Sequence, residues 1–415
     1  MPYILIIRIF VFMTQPVLTP VPPGERIQAL DQLRGVAVLG ILIMNIQHFS
    51  MPASAYINPT AYGDLTGANR WVWILSQMLA SGKFMSIFSM LFGAGVLLFT
   101  ERTGIKGLNP ARLHYRRMGW LLLFGLLHAY LLWTGDILVS YSLCGMLVFL
   151  LRDLRPPVQV RLAIAFFLVP VFWDLFSAWT MPVWPEGTLR SAMESWAPGK
   201  TVIRHQIQVY RSGWLDQMEL RIPDSLFIQT RYFLMRPLWR VTALMLLGMV
   251  LYRHNVLSGM RSSRYYARMM LTGLGTGYAL SGLGVYLNFR HQWTLEYSMF
   301  LGSLFNYVGS VLTALGYVGG IMLVSRTGGF NGIKRGLAAV GRMAFSNYIL
   351  MTLLCTFLFY GHGLGLFGQV ERKFQILMVP AIWIVLILFS MAWLKRFRFG
   401  PMERIWRGLT YRNWA

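Results

Sequence analysis

Acidic residues are scarce in this chain: 15 Asp and Glu stand against 38 Lys and Arg in 415 residues. Charge of either sign is scarce too, at 13% of the sequence. Soluble domains carry about a quarter of their residues as charged groups, because their surface must face water. A soluble fold of this size is therefore excluded. Cysteine is almost absent. Cys144 and Cys355 each fall inside an apolar run and read as small core residues, without a disulfide framework or metal cluster. Metal-ligand spacing, a phosphate-cradling glycine loop and a nucleophile elbow are missing as well. Residues 1–12, MPYILIIRIFVF, lack the basic start and small-residue cleavage site of a signal peptide. Residues 1–25 are read as an N-terminal extension, with Met13 as the expected natural start and an interfacial helix as the alternative.

What the chain has is apolar length, with 56% hydrophobic residues. Apolar runs of roughly 20 residues recur from residue 33 onward, each long enough to cross the hydrocarbon core as a helix. Open sheets are ruled out by the cost of unpaired amides in lipid, and the runs lack the alternation of a barrel. The expected fold is all-α, a polytopic transmembrane bundle of about ten spans. They fall near 33–50, 81–100, 117–134, 138–151, 161–182, 238–252, 269–288, 297–325, 337–360 and 374–394. Residues 26–182 form a first five-helix half and 238–394 a second. Between them lies a long loop over 183–237, with seven basic and five acidic residues. It reads either as a lid or acceptor-binding element, or as a spacer.

Every second connection is basic. Arg102, Lys106, Arg112, Arg116 and Arg117 lie in one, Arg253, Arg261, Arg264 and Arg268 in another, and a basic tail over 395–415 ends the chain. The positive-inside rule then puts both termini in the cytoplasm of a bacterial inner membrane. The net charge of +23 fits loops facing anionic lipid better than nucleic acid, since no basic–aromatic stripe on a soluble domain supports the latter.

Ionisable residues inside spans are costly and are kept for a partner or a task. Asp31 and Arg34 share a helix face at the mouth of the first span, and an internal salt bridge is the simplest reading. Beside Gly35, which permits close approach, Arg34 also suits an anionic ligand. His128 lies mid-span and Asp136 at that span's outer end, about two turns on, so both can face one cavity. A histidine in a bundle more often hydrogen-bonds a neighbouring helix. A neutral imidazole oriented by a carboxylate is also what a proton-abstracting base needs. Asp174 is expected to pair with Arg236 or Arg240, and His48 is the other histidine near a plausible cavity. Gly273 and Gly275 read as packing positions.

Several strings together resemble the YeiB-like bacterial membrane proteins, a family of unknown function. They are Leu-Asp-Gln-Leu-Arg-Gly (30–35), Gly-Ile-Leu-Ile-Met-Asn-Ile-Gln (40–47, containing Asn45), Gly-Lys-Phe (82–84) and Leu-Phe-Gly-Ala-Gly (91–95). Arg116-Arg117, His128, Gly-Asp-Ile-Leu with Tyr141, Gly-Arg-Met-Ala-Phe-Ser-Asn-Tyr (341–348) and Gly-Pro-Met-Glu-Arg-Ile-Trp-Arg-Gly-Leu-Thr-Tyr (400–411) continue the pattern. The resemblance covers about residues 26 to 413. More distantly, the Asp-x-x-Arg-Gly opening is similar to that of the transmembrane acyltransferase superfamily, which includes the heparan glucosaminide acetyltransferase. That likeness implies transfer of an acyl group from cytoplasmic acyl-coenzyme A to an extracytoplasmic hydroxyl or amine, commonly of a sugar. Arg34, Arg116 and Arg117 would bind the donor's phosphates, with His128 and Asp136 catalytic. Asp31, Asn45, Asp174 and Arg240 would support them. The acetyltransferase histidine follows the first span, whereas residues 51–80 here hold none, so His48 or His128 would have to replace it. The alternative expectation is a proton-coupled transporter of a small solute, and the third a scaffolding membrane protein whose polar pairs only fix helix register. The expected partners are the lipid bilayer, the acyl-coenzyme A donor and the acceptor, with no metal and with homo-oligomerisation left open.

Overall fold

Residues 28–411 are described in a computed structural model of the chain. The N-terminal extension, the expected start at Met13 and Arg412 lie outside these residues. Among the described residues every regular element is helical. Lipid offers no partner to a backbone amide, and a helix pairs its amides within its own segment. The first half of the chain gives α1 (Gln28–Ser50), α2 (Gly67–Leu79), α3 (Lys83–Ile105), α4 (Pro110–Leu131), α5 (Leu138–Leu150) and α6 (Pro156–Thr180). The connection over 183–237 is itself largely helical, with α7 (Glu186–Trp196), α8 (Lys200–Tyr210) and α9 (Met218–Phe227). Then come α10 (Pro237–Arg253), α11 (Ser263–Arg290), α12 (Leu301–Arg326), α13 (Asn331–Arg342), α14 (Ala344–Phe359), α15 (Arg372–Arg396) and α16 (Pro401–Tyr411).

Five helical stretches are long and apolar enough to cross a membrane, and two bent pairs raise the number to seven. Ten spans are expected. Helices stand in all ten places, but α4, α5 and α11 fall short of that measure of length and apolarity. α5 has 13 residues, and α4 and α11 carry arginines in their first turns.

The expected span 337–360 is broken. α13 and α14 meet at 88° across Met343. The groups orphaned by the break find partners elsewhere, as helix ends require. Glu403 of α16 accepts from the backbone N–H of Phe345 (2.8 Å) and Ser346 (3.2 Å), and from the Ser346 hydroxyl. The Asn347 amide donates back to the Val340 carbonyl (3.2 Å). A carboxylate at the start of α14 also faces the positive end of its dipole.

α1 is buried along most of its length and packs against α3, α13, α14 and α15, so the two halves of the chain share one core. Small residues allow the close crossings, as is usual where lipid gives no hydrophobic drive. A Cβ at Gly35 would overlap the Leu337 carbonyl, and one at Gly341 the Asp31 carbonyl. Gly35 therefore admits α13 rather than a ligand. Gly273 packs against α12, but Gly275 faces open space and is not a packing position. On the side of the bundle where α4 ends, Arg221 (3.0 Å) and Trp214 (2.7 Å) donate to the Leu131 carbonyl, and Ser225 (3.1 Å) to that of Ala129. The long connection thus roofs α4 and satisfies its last carbonyls.

Candidate functional site

Asp136 is not on the helix that carries His128. α4 stops at Leu131, and the Gly-Asp-Ile-Leu string turns the chain back toward α5. A side chain at Gly135 would collide with the Trp133 indole, which is buried against Phe49 (3.9 Å between rings). In this turn one Asp136 oxygen accepts from Val139 N–H (2.8 Å) and caps α5. The other lies 3.0 Å from His128 Nδ1, and neither of those two atoms has another hydrogen-bond partner. On its far side, His128 Nε2 is 3.0 Å from the Thr352 hydroxyl of α14. The Thr352 hydroxyl also lies 3.2 Å from the Tyr348 carbonyl. Hydroxyl, imidazole and carboxylate form one buried line: Asp136, the most exposed of the three, shows 8% of its surface. Tyr348 closes it from below, its ring 4.8 Å from the His128 ring. Of these groups, Thr352 and Tyr348 carry no signal in their immediate sequence, apart from Tyr348 ending the 341–348 string.

Two adjoining cavities lead toward this line from the end of the bundle where Arg34 lies. The outer one, about 370 Å³, is lined by Arg34, Arg102, Lys106, Arg117, Arg342 and Arg407, with only Asp31 and Glu403 as carboxylates. The inner one, about 240 Å³, shares Arg34, Arg117, Arg342 and Glu403 with it and then becomes mainly apolar. Its walls follow α1 from Arg34 to Ile41 and α3 from Phe99 to Phe88. At 1.5 Å per helical residue these stretches reach roughly 10 and 16 Å into the bundle. The inner end is formed by Leu121, Ile137, Leu138, Tyr348 and Met351. His128, Asp136 and Thr352 line neither cavity; Tyr348, which lines the inner one and packs on the His128 ring, joins it to the buried line.

Each sequence-derived residue has a definite place. Arg34 and Arg117 line both cavities, whereas Arg116, its neighbour in sequence, lines neither. Successive positions on a helix point about 100° apart, which separates the pair. Asp31 pairs with Arg34 at 3.2 Å. Arg117 is held under Trp406 of α16, 4.2 Å from its ring, and its carbonyl accepts the Trp406 indole N–H (2.8 Å). Asn45 is buried in α1 and lines neither cavity. Asp174 pairs with Arg236, not Arg240. Arg240 instead donates to the Tyr307 carbonyl (2.9 Å) and the Ser310 hydroxyl (2.8 Å). His48 faces Trp133 (5.1 Å) and Tyr56 (5.3 Å) and does not join the His128 line. Sequence reasoning missed Arg342, Arg407, Glu403 and His114, all of which line a cavity. It also missed Lys83, fully buried and donating to Asn306 (2.6 Å) and the Gln77 carbonyl (2.8 Å). Among the described residues no cluster of side chains could hold a metal ion.

The family model described as "Protein of unknown function (DUF418)" matches residues 251–413. The Escherichia coli K12 protein named Uncharacterized protein YeiB is 33% identical over 94% of this chain and 97% of its own. The Bacillus subtilis 168 protein named Uncharacterized protein YxaH is 30% identical over 96% of this chain and 97% of its own. An uncharacterized 39.9 kDa protein from the amylase 3' region of Bacillus acidopullulyticus is 26% identical over 94% and 96%. No solved structure matches.

Proposed function

The chain belongs to the YeiB-like DUF418 family of helical membrane proteins, and from that premise we propose that it is a membrane-bound acyltransferase using acyl-coenzyme A. One observation carries this reading: a cationic cavity adjoins a mainly apolar one, and a wall residue of the latter, Tyr348, packs on the imidazole of a buried imidazole–carboxylate pair. Coenzyme A has the matching order of parts, with phosphates at one end, a slender pantetheine arm, and a thioester at the tip. Arg34 and Arg117, with Arg102, Arg342 and Arg407 beside them, meet the phosphates by charge-assisted hydrogen bonds. The alternation of basic connections along the sequence supports a vestibule on the cytoplasmic side of a bacterial inner membrane.

The chemistry asked of His128 is general-base catalysis. The acceptor's hydroxyl or amine attacks the thioester carbon, a C–O or C–N bond forms, and the C–S bond breaks. The acceptor's proton passes to His128 Nε2 through the Thr352 hydroxyl and leaves on the coenzyme A thiol, so the enzyme is restored. Asp136 stabilises the imidazolium and holds Nδ1 protonated. The acceptor, a sugar or other hydroxyl or amine, enters from the roofed side. The test is thiol release from acetyl-coenzyme A by purified protein supplied with glucosamine and cell-envelope polysaccharide. Acceptor-dependent release by wild type, lost in His128→Ala, supports the reading. Equal release by the folded variant contradicts it.

A proton-coupled solute transporter is the second reading. The interruptions at Ala80–Gly82, beside buried Lys83, and at Met343 favour it, because transporters build midplane sites from broken helices. Counterflow of a labelled solute driven by a proton gradient would support it.

A further inference from the structure

Resting on that acyltransferase reading, the geometry points to the inner end of the cavity as a site for a short-chain acyl thioester, whose carbonyl oxygen accepts a hydrogen bond from Tyr348. Two phenols reach this part of the cavity. Tyr141 is fully engaged: its hydroxyl donates to the Met85 carbonyl (3.1 Å) and is hydrogen-bonded to the Ser89 hydroxyl (2.7 Å). Tyr348 differs. Its oxygen accepts the Ile137 backbone N–H (3.3 Å), and its own proton meets no acceptor among the described residues. The hydroxyl of a 95%-buried side chain therefore carries an unspent donor in the cavity wall, against the ring of the candidate base. An oxygen that already accepts one hydrogen bond is the better donor in the next, because the bonds polarise each other. A donor held in place where negative charge develops is what an acyl-transfer transition state requires.

The length of the acyl group follows from what closes the cavity. Leu121, Leu138 and Met351 at the inner end all belong to the principal packed core. A short acyl group leaves that packing in place, whereas a longer chain has to push it apart. Overpacking of this kind weakens acetyl-to-octanoyl extension by about tenfold or more.

The test uses the full-length protein in nanodiscs and isotope-edited infrared spectroscopy of carbonyl-labelled acetyl-coenzyme A. Wild type is expected to lower the carbonyl stretch of the bound thioester, and Tyr348→Phe to abolish that lowering while still binding acetyl-coenzyme A, weakened by no more than about tenfold. In turnover, Tyr348→Phe is expected to lose about a hundredfold in kcat, with KM for the donor raised by no more than about tenfold. Fluorotyrosine at position 348 keeps the side chain's bulk and strengthens the donor, so it should increase the shift even if the phenylalanine variant folds poorly. Acetyl-coenzyme A bound with the same carbonyl frequency in wild type and both variants overturns the assignment to Tyr348 and leaves the transferase reading standing. Octanoyl-coenzyme A binding as tightly as acetyl-coenzyme A overturns the short-chain class. Failure of the folded wild type to bind either donor removes the transferase reading itself, and this inference with it.

Discussion

Thr352 shares its hydroxyl between the Tyr348 carbonyl one turn back and His128 Nε2. The first contact is ordinary for threonine in a membrane helix; in the proposed mechanism the second is the proton's route to the base. Replacement by valine preserves the shape, removes the route, and is expected to lower transfer by about a hundredfold or more. Serine keeps the hydroxyl and is expected to retain most activity. Equal rates for valine and wild type would leave Thr352 as helix packing only. Asp136→Asn retains an acceptor for the Val139 N–H but removes the charge facing His128, so it should cost activity far more than stability. Thermal melting alongside thiol release separates the two. His128 and Asp136 were legible in the sequence as rare ionisable groups in apolar surroundings. Thr352 and Tyr348 were not, because hydroxyl residues are common in membrane helices and only the fold brings these two to the histidine.

Among the elements, α16 has the clearest dual role. Through Glu403 it caps α14 at the break, and through Trp406 it covers Arg117 at the cavity mouth. Glu403→Ala is expected to destabilise the protein by about 1–2 kcal/mol, the usual cost of a lost cap, and to weaken donor binding as well. A variant with unchanged melting would contradict the capping role. The 341–348 and 400–411 strings were visible as signatures, but sequence alone reads 337–360 as one apolar helix. The break is invisible there because the carboxylate that satisfies its orphaned groups lies about 60 residues downstream in the chain.

A second clamp joins the loop before α2 to the start of α15. The Asn69 amide donates to Asp64 (2.7 Å) and Glu371 (2.8 Å), and these bonds, the largest cause in each case, hold both carboxyls below their ordinary range. Carboxyls with lowered folded-state values contribute stability above their unfolded values and lose it as pH falls through the folded ones. Wild type is therefore expected to lose stability on acidification below about pH 4 more steeply than Asn69→Ala. Parallel melting curves against pH in the two proteins would show that the clamp contributes nothing.

For the whole molecule, composition already dictated helices in lipid, and the alternation of basic connections set the expected orientation. The span count was less legible: α4 and α11 carry arginines within the helix, so apolar length alone does not decide whether they cross. The cavity was not legible at all. Its walls come from α1, α3, α4, α5, α13, α14 and α16, and its cations are spread from Arg34 to Arg407. Their convergence gives the molecule one strongly cationic concavity, which should attract polyanionic ligands and release them as salt rises.

The most direct test of the account is binding of acetyl-coenzyme A to the purified protein in nanodiscs, compared with an Arg34→Ala, Arg117→Ala double variant. The account predicts saturable binding by wild type, weakened at high salt and lost in the folded variant. Wild-type protein that is folded yet binds no acetyl-coenzyme A at millimolar concentration would contradict it.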